Sequence, residues 1–367
     1  KNKNPGLQKY ALDCILNYKN KSVTPYKTNL QNLVDEKKFK DELTQFKITE
    51  DSEAIQPDHR EHVMPLILRI LYGKMTTKLA ADKKGGGQTR RSLIMRYLSG
   101  CNENELKMFI DMAFSYLKQY MTIEPKEIYA SILNNTDLKS VTTPGKLHSM
   151  LNLFDVVREY FGGYMKDQLL SEFFKIFYAI CSNFASVLSN IDKVHVSYVK
   201  VMKNLRTLSI SILGKLFDHF EKYVWSKDEL FVIFETLIWP LIPRLHFEGV
   251  HNPTALLKLF NIWCQNPRYY VLFVTCSEED SSLSILPPLF KLLTTLKTAP
   301  GVVNMILDMI EKLLTLVEDE EDKDIPNIES FCTLKVETVD KSDINFGSKI
   351  LIPHLPSILE VMKRRIA

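Results

Sequence analysis

Glycine is scarce in this chain, with 13 residues among 367, and long apolar runs are missing. Sheet-rich folds need many tight turns and use glycine in them, so this shortage favours helices. The sequence contains no run of about 18 uncharged apolar residues, and no signal peptide opens it. We therefore expect no membrane partner. The first residue is Lys rather than Met, and we expect the chain to be part of a longer protein.

The six cysteines are spread along the chain, and no two of them form a CxxC pair. This spacing lacks the pattern of a zinc site or of a disulfide framework. Each cysteine lies in or beside apolar sequence with helical periodicity, as reduced thiols in a protein core do. The pattern indicates a reducing compartment, either cytosolic or nuclear.

A phosphate-binding P-loop is absent, although residues 82–100 (DKKGGGQTRRSLIMRYLSG) place three glycines among basic residues. That motif requires a glycine five residues before a Gly-Lys pair and a Ser or Thr after it, because the lysine and the hydroxyl hold phosphates and magnesium. Gly-Lys pairs occur at residues 73–74, 145–146 and 214–215, and none has either feature. The glycine triplet therefore indicates a loop between two helices, predicted at 63–78 and 89–98.

The usual catalytic and metal-binding patterns are missing as well. The GxSxG motif of hydrolases does not occur. His59 and His62 are three residues apart, but no cysteine or carboxylate cluster joins them at the spacing of metal ligands. Aromatic residues between 173 and 178 recur at helical spacing, which is typical of a core. We expect no enzyme activity, no cofactor, no metal and no small-molecule substrate.

Apolar residues are plentiful, and they recur with a period close to 3.6 along almost the whole chain. The first predicted helix has an apolar stripe formed by Leu7, Tyr10, Ala11, Cys14, Ile15 and Tyr18. Later predicted helices lie at 205–220, 229–245, 253–265, 286–296, 300–314 and 350–365. Helices recur in pairs with a period of roughly 40 residues, which is typical of HEAT and armadillo repeats. We predict an all-α fold, an α-solenoid of degenerate HEAT/armadillo-like helix pairs, with a compact helical bundle as the structural alternative.

The periodicity divides the chain into three parts. Residues 1–317 are predicted to form HEAT-like helical repeats, with a basic loop at 79–88 inside one repeat. Residues 318–347 begin with an acidic run (EDEEDKD, 318–324) and lack helical periodicity, which predicts an irregular connection between helices. Residues 348–367 are predicted to start a further helical repeat.

Basic residues are concentrated between residues 60 and 96. Nine basic and two acidic residues give this segment a net charge of +7, whereas the whole chain carries +3. Such a patch suits a polyanion, and the alternative interpretation is a solvated helix surface without a partner. Two of the arginines lie in the first turn of predicted helix 89–98, where cations oppose the helix dipole and backbone N–H groups attract anions. The candidate phosphate contacts are Lys83, Lys84, Arg90, Arg91 and Arg96.

The same segments carry a resemblance to a known family. Residues 59–75 (HREHVMPLILRILYGKM), 89–100 (TRRSLIMRYLSG) and 105–114 (ELKMFIDMAF) resemble the component 20 family of the small-subunit processome, large nucleolar HEAT-repeat proteins also called "down-regulated in metastasis" proteins. Further similar segments lie at 7–43, 235–245, 256–273 and 350–362. The resemblance implies a non-catalytic scaffold section that acts in the nucleolus during 18S ribosomal RNA maturation. It also implies pre-ribosomal RNA, U3 small nucleolar RNA and other processome proteins as partners.

Two classes of function remain open on the residues alone. A scaffold would bind pre-ribosomal RNA through the basic residues, which would contact phosphates without reading the base sequence. A protein-only interaction solenoid, such as a nuclear transport receptor or the helical arm of a large kinase, would bind no RNA. Transport receptors of this shape usually present acidic surfaces to basic cargo. The sequence pI near 8.3 and the basic segment favour the first class.

Overall fold

The computed structural model describes residues 5–76, 86–135, 137–138, 142–280, 282–317, 325–329 and 344–366. Over these residues the regular secondary structure is helical, and a lone β-bridge joins Cys276 to Ser284. The α-helices of this part of the chain are α1 (Pro5–Asn17), α2 (Lys27–Val34), α3 (Phe39–Gln45), α4 (Arg60–Thr76), α5 (Gly86–Leu98), α6 (Glu103–Ala113), α7 (Pro125–Asn134), α8 (Pro144–Phe161), α9 (Asp167–Leu188), α10 (Val196–His219), α11 (Lys227–Ile233), α12 (Ile242–Glu248), α13 (Ala255–Trp263), α14 (Leu286–Thr294), α15 (Pro300–Thr315), α16 (Phe346–Leu351) and α17 (Leu355–Ile366). The all-α prediction is confirmed.

Helix starts are set by proline and by capping side chains. Proline is the first residue of α1, α7, α8 and α15, where its missing N–H group costs no hydrogen bond. Helices α6 and α11 begin with a capping box, in which the N-cap side chain and a glutamate three residues later each accept from the other's backbone N–H. The capping pairs are Asn102 with Glu105 and Ser226 with Glu229.

Proline also divides two segments that were predicted as single helices. Segment 229–245 contains Pro240 and Pro243, and α11 gives way to a π-helical turn (Phe234–Ile238) before α12 begins. Segment 350–365 contains Pro353 and Pro356, and a 3-10 turn separates α16 from α17 there. The breaks follow from the missing N–H group of proline and from the clash of its ring with the preceding helical turn.

None of the described helices is by itself long and apolar enough to cross a membrane. The pair Lys227–Ile238 and Ile242–Glu248, bent by 43°, meets the length and composition criteria only when its halves are joined.

The helices form two compact units. The first unit comprises Lys1–Thr122 and Asn152–Phe174, and the second comprises Ile123–Leu151 and Lys175–Ala367. In the first unit α2 packs on α1, α3 and α4, and α4 packs in turn on α5 and α6. The almost completely buried core side chains of this unit include Leu30, Leu33, Val63, Ile67 and Leu71.

In the second unit α10 packs on α13, α11 on α7, and α14 on α12, α15 and α17. Gly214 allows the α10–α13 approach, because a Cβ atom there would lie 2.8 Å from Cδ1 of Ile262. Phe217 stacks on Trp225 at 4.4 Å between ring centroids and meets Trp263 edge-on at 5.5 Å. Packing of helices on their near neighbours in sequence is that of an α-solenoid of helix pairs, as predicted.

The apolar stripe predicted for α1 faces solvent, which is the opposite of the expected orientation. All six of its residues are exposed, Tyr10 at 71% and Tyr18 at 87%. Among residues 6–17 of α1, Leu12 is buried. This side of the helix faces α2, and the Oδ1 atom of Asp13 accepts a hydrogen bond from Nε2 of Gln31 at 3.1 Å.

The predicted connection at 318–347 falls mostly outside the described residues, which include only 325–329 and 344–347 of it. Ile328 is buried within the first of these pieces. The predicted further repeat at 348–367 contains most of α16 and all of α17. Helix α16 packs on α15, and α17 packs on α14.

Candidate nucleic-acid interface

The basic segment at 60–96 spans helices α4 and α5. Helix α4 ends at Thr76 and α5 begins at Gly86, three residues before the predicted start. Gly86 and Gly87 are therefore the first helical residues of α5 rather than part of a loop. Two of the predicted phosphate contacts, Lys83 and Lys84, lie outside the described residues.

The earlier start of α5 changes the position of its arginines. Arg90 and Arg91 are the fifth and sixth helical residues, so they lie in the second turn instead of the first. The field of the helix dipole falls off within the first turn, and the free backbone N–H groups belong to residues 86–89. The predicted dipole cost therefore does not apply to these two arginines.

Arg60 at the start of α4 is buried and holds α4 to α6. Its Nε and Nη2 atoms donate to the two carboxylate oxygens of Glu105 at 2.8 and 2.7 Å, and Nη1 donates to the carbonyl of Ile48 at 2.8 Å. Burial lowers the pKa of Arg60, but hydrogen bonds to Glu105 and the charge of its carboxylate reverse that effect and leave the pKa raised. This bidentate pair is a structural contact, so Arg60 does not contribute to an anion-binding surface.

Lys74 near the end of α4 is also buried, with 2% of its side chain exposed. Its Nζ atom donates to the carbonyl of Val34 and to Oε1 of Glu36, both at 2.5 Å, and lies 5.4 Å from the ring centroid of Phe39. Arg90 approaches the same carboxylate, with Nη1 3.8 Å from Oε2 of Glu36. Only 11% of the Arg90 side chain is exposed. Glu36 therefore lies near two cations of the basic segment and offsets one of their two positive charges.

Three arginines of the segment are exposed: Arg69 on α4 and Arg91 and Arg96 on α5. Helix α5 is held in place by its other face, where Ile94, Met95 and Leu98 are buried. The hydroxyl of Tyr97 donates to the carbonyl of Phe46 at 2.6 Å. Burial raises the pKa of Tyr97, which keeps this hydroxyl protonated as a donor.

Arg91 and Arg96 are five residues apart, which separates them by roughly 7.5 Å along the helix and about 140° around it. The two guanidinium groups therefore extend from different sides of the exposed surface of α5. An arrangement of this kind suits the separated phosphates of a polyanion better than a single small anion. Since Glu36 and Glu105 neutralise part of the segment, its effective charge is lower than the +7 counted from the sequence.

The histidines considered as metal ligands have ordinary structural surroundings. Nδ1 of His59 lies 3.1 Å from the hydroxyl of Tyr26, and the two rings meet edge-on at 5.7 Å. His62 is exposed. Across the described residues no group of three or more His, Cys, Asp or Glu side chains is arranged to hold a metal ion.

The five described cysteines are free thiols. Cys181, Cys264 and Cys276 are buried, whereas Cys14 is exposed and departs from the predicted core position. Burial raises the pKa of Cys264 to about 12 and raises that of Cys181 further. These two thiols stay protonated near neutral pH, a state without nucleophilic reactivity.

Comparison with known proteins shows which family the chain matches. Residues 1–367 match the family described as "U3 small nucleolar RNA-associated protein 20, N-terminal". The chain is 27% identical over 322 residues to the U3 small nucleolar RNA-associated protein 20 of Schizosaccharomyces pombe, and 26% identical over 270 residues to that of Saccharomyces cerevisiae. The alignments cover 86% and 73% of this chain, but only 12% and 10% of the two relatives.

Proposed function

Since the chain belongs to the family formed by the N-terminal region of U3 small nucleolar RNA-associated protein 20, we propose that it is one section of a ribosome-biogenesis factor. On this proposal the section is a non-catalytic helical scaffold that acts in the nucleolus during 18S ribosomal RNA maturation. The names of the relatives describe association with an RNA and no chemical reaction, which supports a binding role. The matched region is a small part of those proteins, so the proposed partners are shared with the rest of the protein.

The section is proposed to contact the phosphates of pre-ribosomal RNA through α5. The observation that carries this proposal is the pair of exposed arginines, Arg91 and Arg96, on a helix whose other face is buried. A rigid helix with separated guanidinium groups contacts a polyanion at fixed points without reading its base sequence. Lys83 and Lys84 precede this helix and extend the proposed contact.

Arg90 has a different proposed role from Arg91 and Arg96. Its side chain is mostly covered and approaches Glu36, which also binds Lys74. It therefore orients α5 relative to α4 and adds less to the phosphate contact than its two exposed neighbours. U3 small nucleolar RNA and other processome proteins are the further proposed partners, in line with the names of the relatives.

A titration of the 367-residue chain against an RNA hairpin tests the phosphate contact. We expect the affinity to fall by about 10- to 100-fold between about 50 and 200 mM salt, because each neutralised phosphate releases counterions. The double variant Arg91→Glu/Arg96→Glu is expected to weaken binding by about tenfold or more at the lower salt concentration.

The variant Lys40→Glu/Lys47→Glu serves as the matched control, because it changes the net charge by the same amount at two exposed positions of the same unit. Equal losses in the two variants would indicate a general charge effect and contradict a contact at α5. Binding that does not depend on salt would also contradict the proposal.

A further inference from the structure

One buried arginine outside the basic segment has no hydrogen-bond acceptor among the described residues. Arg206 lies in the middle of α10 and is 8% exposed. Its Nε atom is fully buried without an acceptor, and neither Nη atom donates to any described residue. Both Nη atoms still reach solvent, because Nε alone among the three nitrogens is both buried and unpaired. The guanidinium group thus points its terminal nitrogens towards the surface.

The other buried arginines in the described part of the chain all have acceptors. Arg60 pairs with a carboxylate, Arg158 donates to Asp155 at 3.0 Å, and Arg268 donates to the backbone carbonyls of Glu221 and Pro326. A buried charge is costly unless it is paired and hydrogen-bonded. The Nε atom of Arg268 is also unpaired, but its two Nη atoms donate to carbonyl groups. Arg206 therefore differs from the other three buried arginines, which indicates an acceptor that the described residues do not supply.

The electrostatic surroundings of Arg206 point the same way. Burial, together with the charge of Arg244 on α12, lowers the pKa of Arg206 to about 10. The neighbouring group that acts in the opposite direction is the thiol of Cys181, and no carboxylate takes part. Two arginines that repel each other without an intervening acid form an environment that favours an anion.

The first half of α10 continues this surface with apolar and basic side chains. A cavity of about 460 Å³ is lined by Ile191, Val194, Val196, Val199, Lys200 and Lys203. Val196 is 79% exposed. Lys203 and Arg206 are three residues apart, which places their Cβ atoms about 5–6 Å from each other on neighbouring turns. The cavity and the unpaired guanidinium therefore lie next to each other along one side of α10.

We propose that this surface, the α10 groove, binds an acidic amphipathic segment of a partner protein. An apolar side chain of the segment enters the valine-lined cavity, and its carboxylates pair with Lys200, Lys203 and Arg206. The planar guanidinium suits a carboxylate, which accepts two parallel hydrogen bonds from it. An RNA strand would bind this groove less tightly, because no aromatic side chain lines the cavity and a base therefore has no ring to stack on.

Binding of designed peptides to the 367-residue chain tests the α10 groove. The probe is a fluorescent helical peptide with leucine at core spacing and glutamate elsewhere, and the comparison peptides replace every glutamate by lysine or every leucine by glutamine. We expect only the leucine–glutamate peptide to bind. Arg206→Met is expected to weaken it by about tenfold, since truncating one partner of a charge pair leaves the other unpaired.

Lys200→Glu/Lys203→Glu repeats the test at two exposed positions, where folding is not at risk. The charge-matched control is Lys222→Glu/Lys258→Glu, at exposed positions of the same unit that do not line the cavity, and it is expected to leave peptide affinity unchanged. Absence of binding up to about 1 mM peptide would overturn the proposal. So would equal binding by all variants, or an oligouridylate that binds in place of the peptide and is sensitive to Arg206→Met.

Discussion

At the scale of single residues, arginines of this chain have three different environments. Arg60 is paired with a carboxylate inside the fold, and Arg91 is exposed. Arg206 is buried without an acceptor in the part of the chain that the structure describes. The sequence does not distinguish them, because the environment of each depends on residues far away in the chain. Glu105, for example, is 45 residues from the arginine that it binds.

Replacement of Glu105 by Gln tests the structural role of the buried ion pair. The variant leaves the charge of Arg60 buried without its carboxylate, so we expect the free energy of unfolding to fall by about 3 kcal/mol. Urea denaturation monitored by circular dichroism measures the change. The same substitution at Glu61, which is exposed on α4, is expected to stay within about 0.5 kcal/mol and serves as the control. Equal effects at the two positions would contradict the structural role.

Glu235 predicts a pH dependence of stability. Burial, together with the charges of Glu279 and Glu278, raises its pKa to about 7. A raised pKa means that the folded state binds more protons than the unfolded state between about pH 4.5 and 7. The stabilising effect of this proton is therefore present at low pH and is lost as the pH rises through 7.

Glu235→Gln removes this titration. We expect the variant to be more stable than the parent chain at pH 8 by about 1 kcal/mol, a value reduced for the partial exposure of the side chain, and equally stable at pH 5. Denaturation of both proteins at the two pH values measures the difference. A stability difference between variant and parent that is the same at pH 5 and pH 8 would contradict the raised pKa of Glu235. Glu248→Gln, at an exposed position, is the control for the loss of one charge.

At the scale of helices, periodicity predicted which segments are helical but not where they end or which side is buried. The breaks in 229–245 and 350–365 had a visible signal, because each segment contains two prolines. The orientation of α1 had none, since its exposed stripe is as apolar as a core-facing one. The contact of α1 with α2 determines which side of α1 is buried, and the apolar pattern of α1 alone does not predict this contact.

The approach of α16 to α15 depends on Gly347. A Cβ atom at this position would collide with the backbone carbonyl oxygen of Leu313 and lie 2.9 Å from Cε2 of Tyr270. Backbone does not move away as a flexible side chain does, so we expect Gly347→Ala to destabilise the chain by about 2 kcal/mol.

Gly301→Ala is the matched control, because Gly301 is in α15 and a Cβ atom there meets nothing within 4 Å. It is expected to stabilise the chain by about 0.5 kcal/mol, since alanine loses less backbone entropy on folding. Thermal unfolding of the two variants compares them, and a stabilising Gly347→Ala would contradict the described packing.

At the scale of the whole molecule, the fold class was predictable because it rests on local periodicity and on the repetition of helix pairs. The charge of the candidate site was less predictable, because a count of charges along the sequence includes Arg60 and Lys74 in the basic patch. Their partners Glu105 and Glu36 come from other helices or loops, and this pairing exists only in the folded chain. The exposed arginines Arg69, Arg91 and Arg96 are what remains of the predicted patch among the described residues.

We propose above all that this section contacts ribosomal RNA through the region of α5. Ultraviolet crosslinking of RNA to protein on assembled pre-ribosomes, mapped to residues by mass spectrometry, tests it most directly. We expect crosslinks to residues 83–96, and we expect their loss in a protein that carries Arg91→Glu/Arg96→Glu and still assembles. Crosslinks of the chain that all fall outside this region, and persist unchanged in the variant, would contradict it.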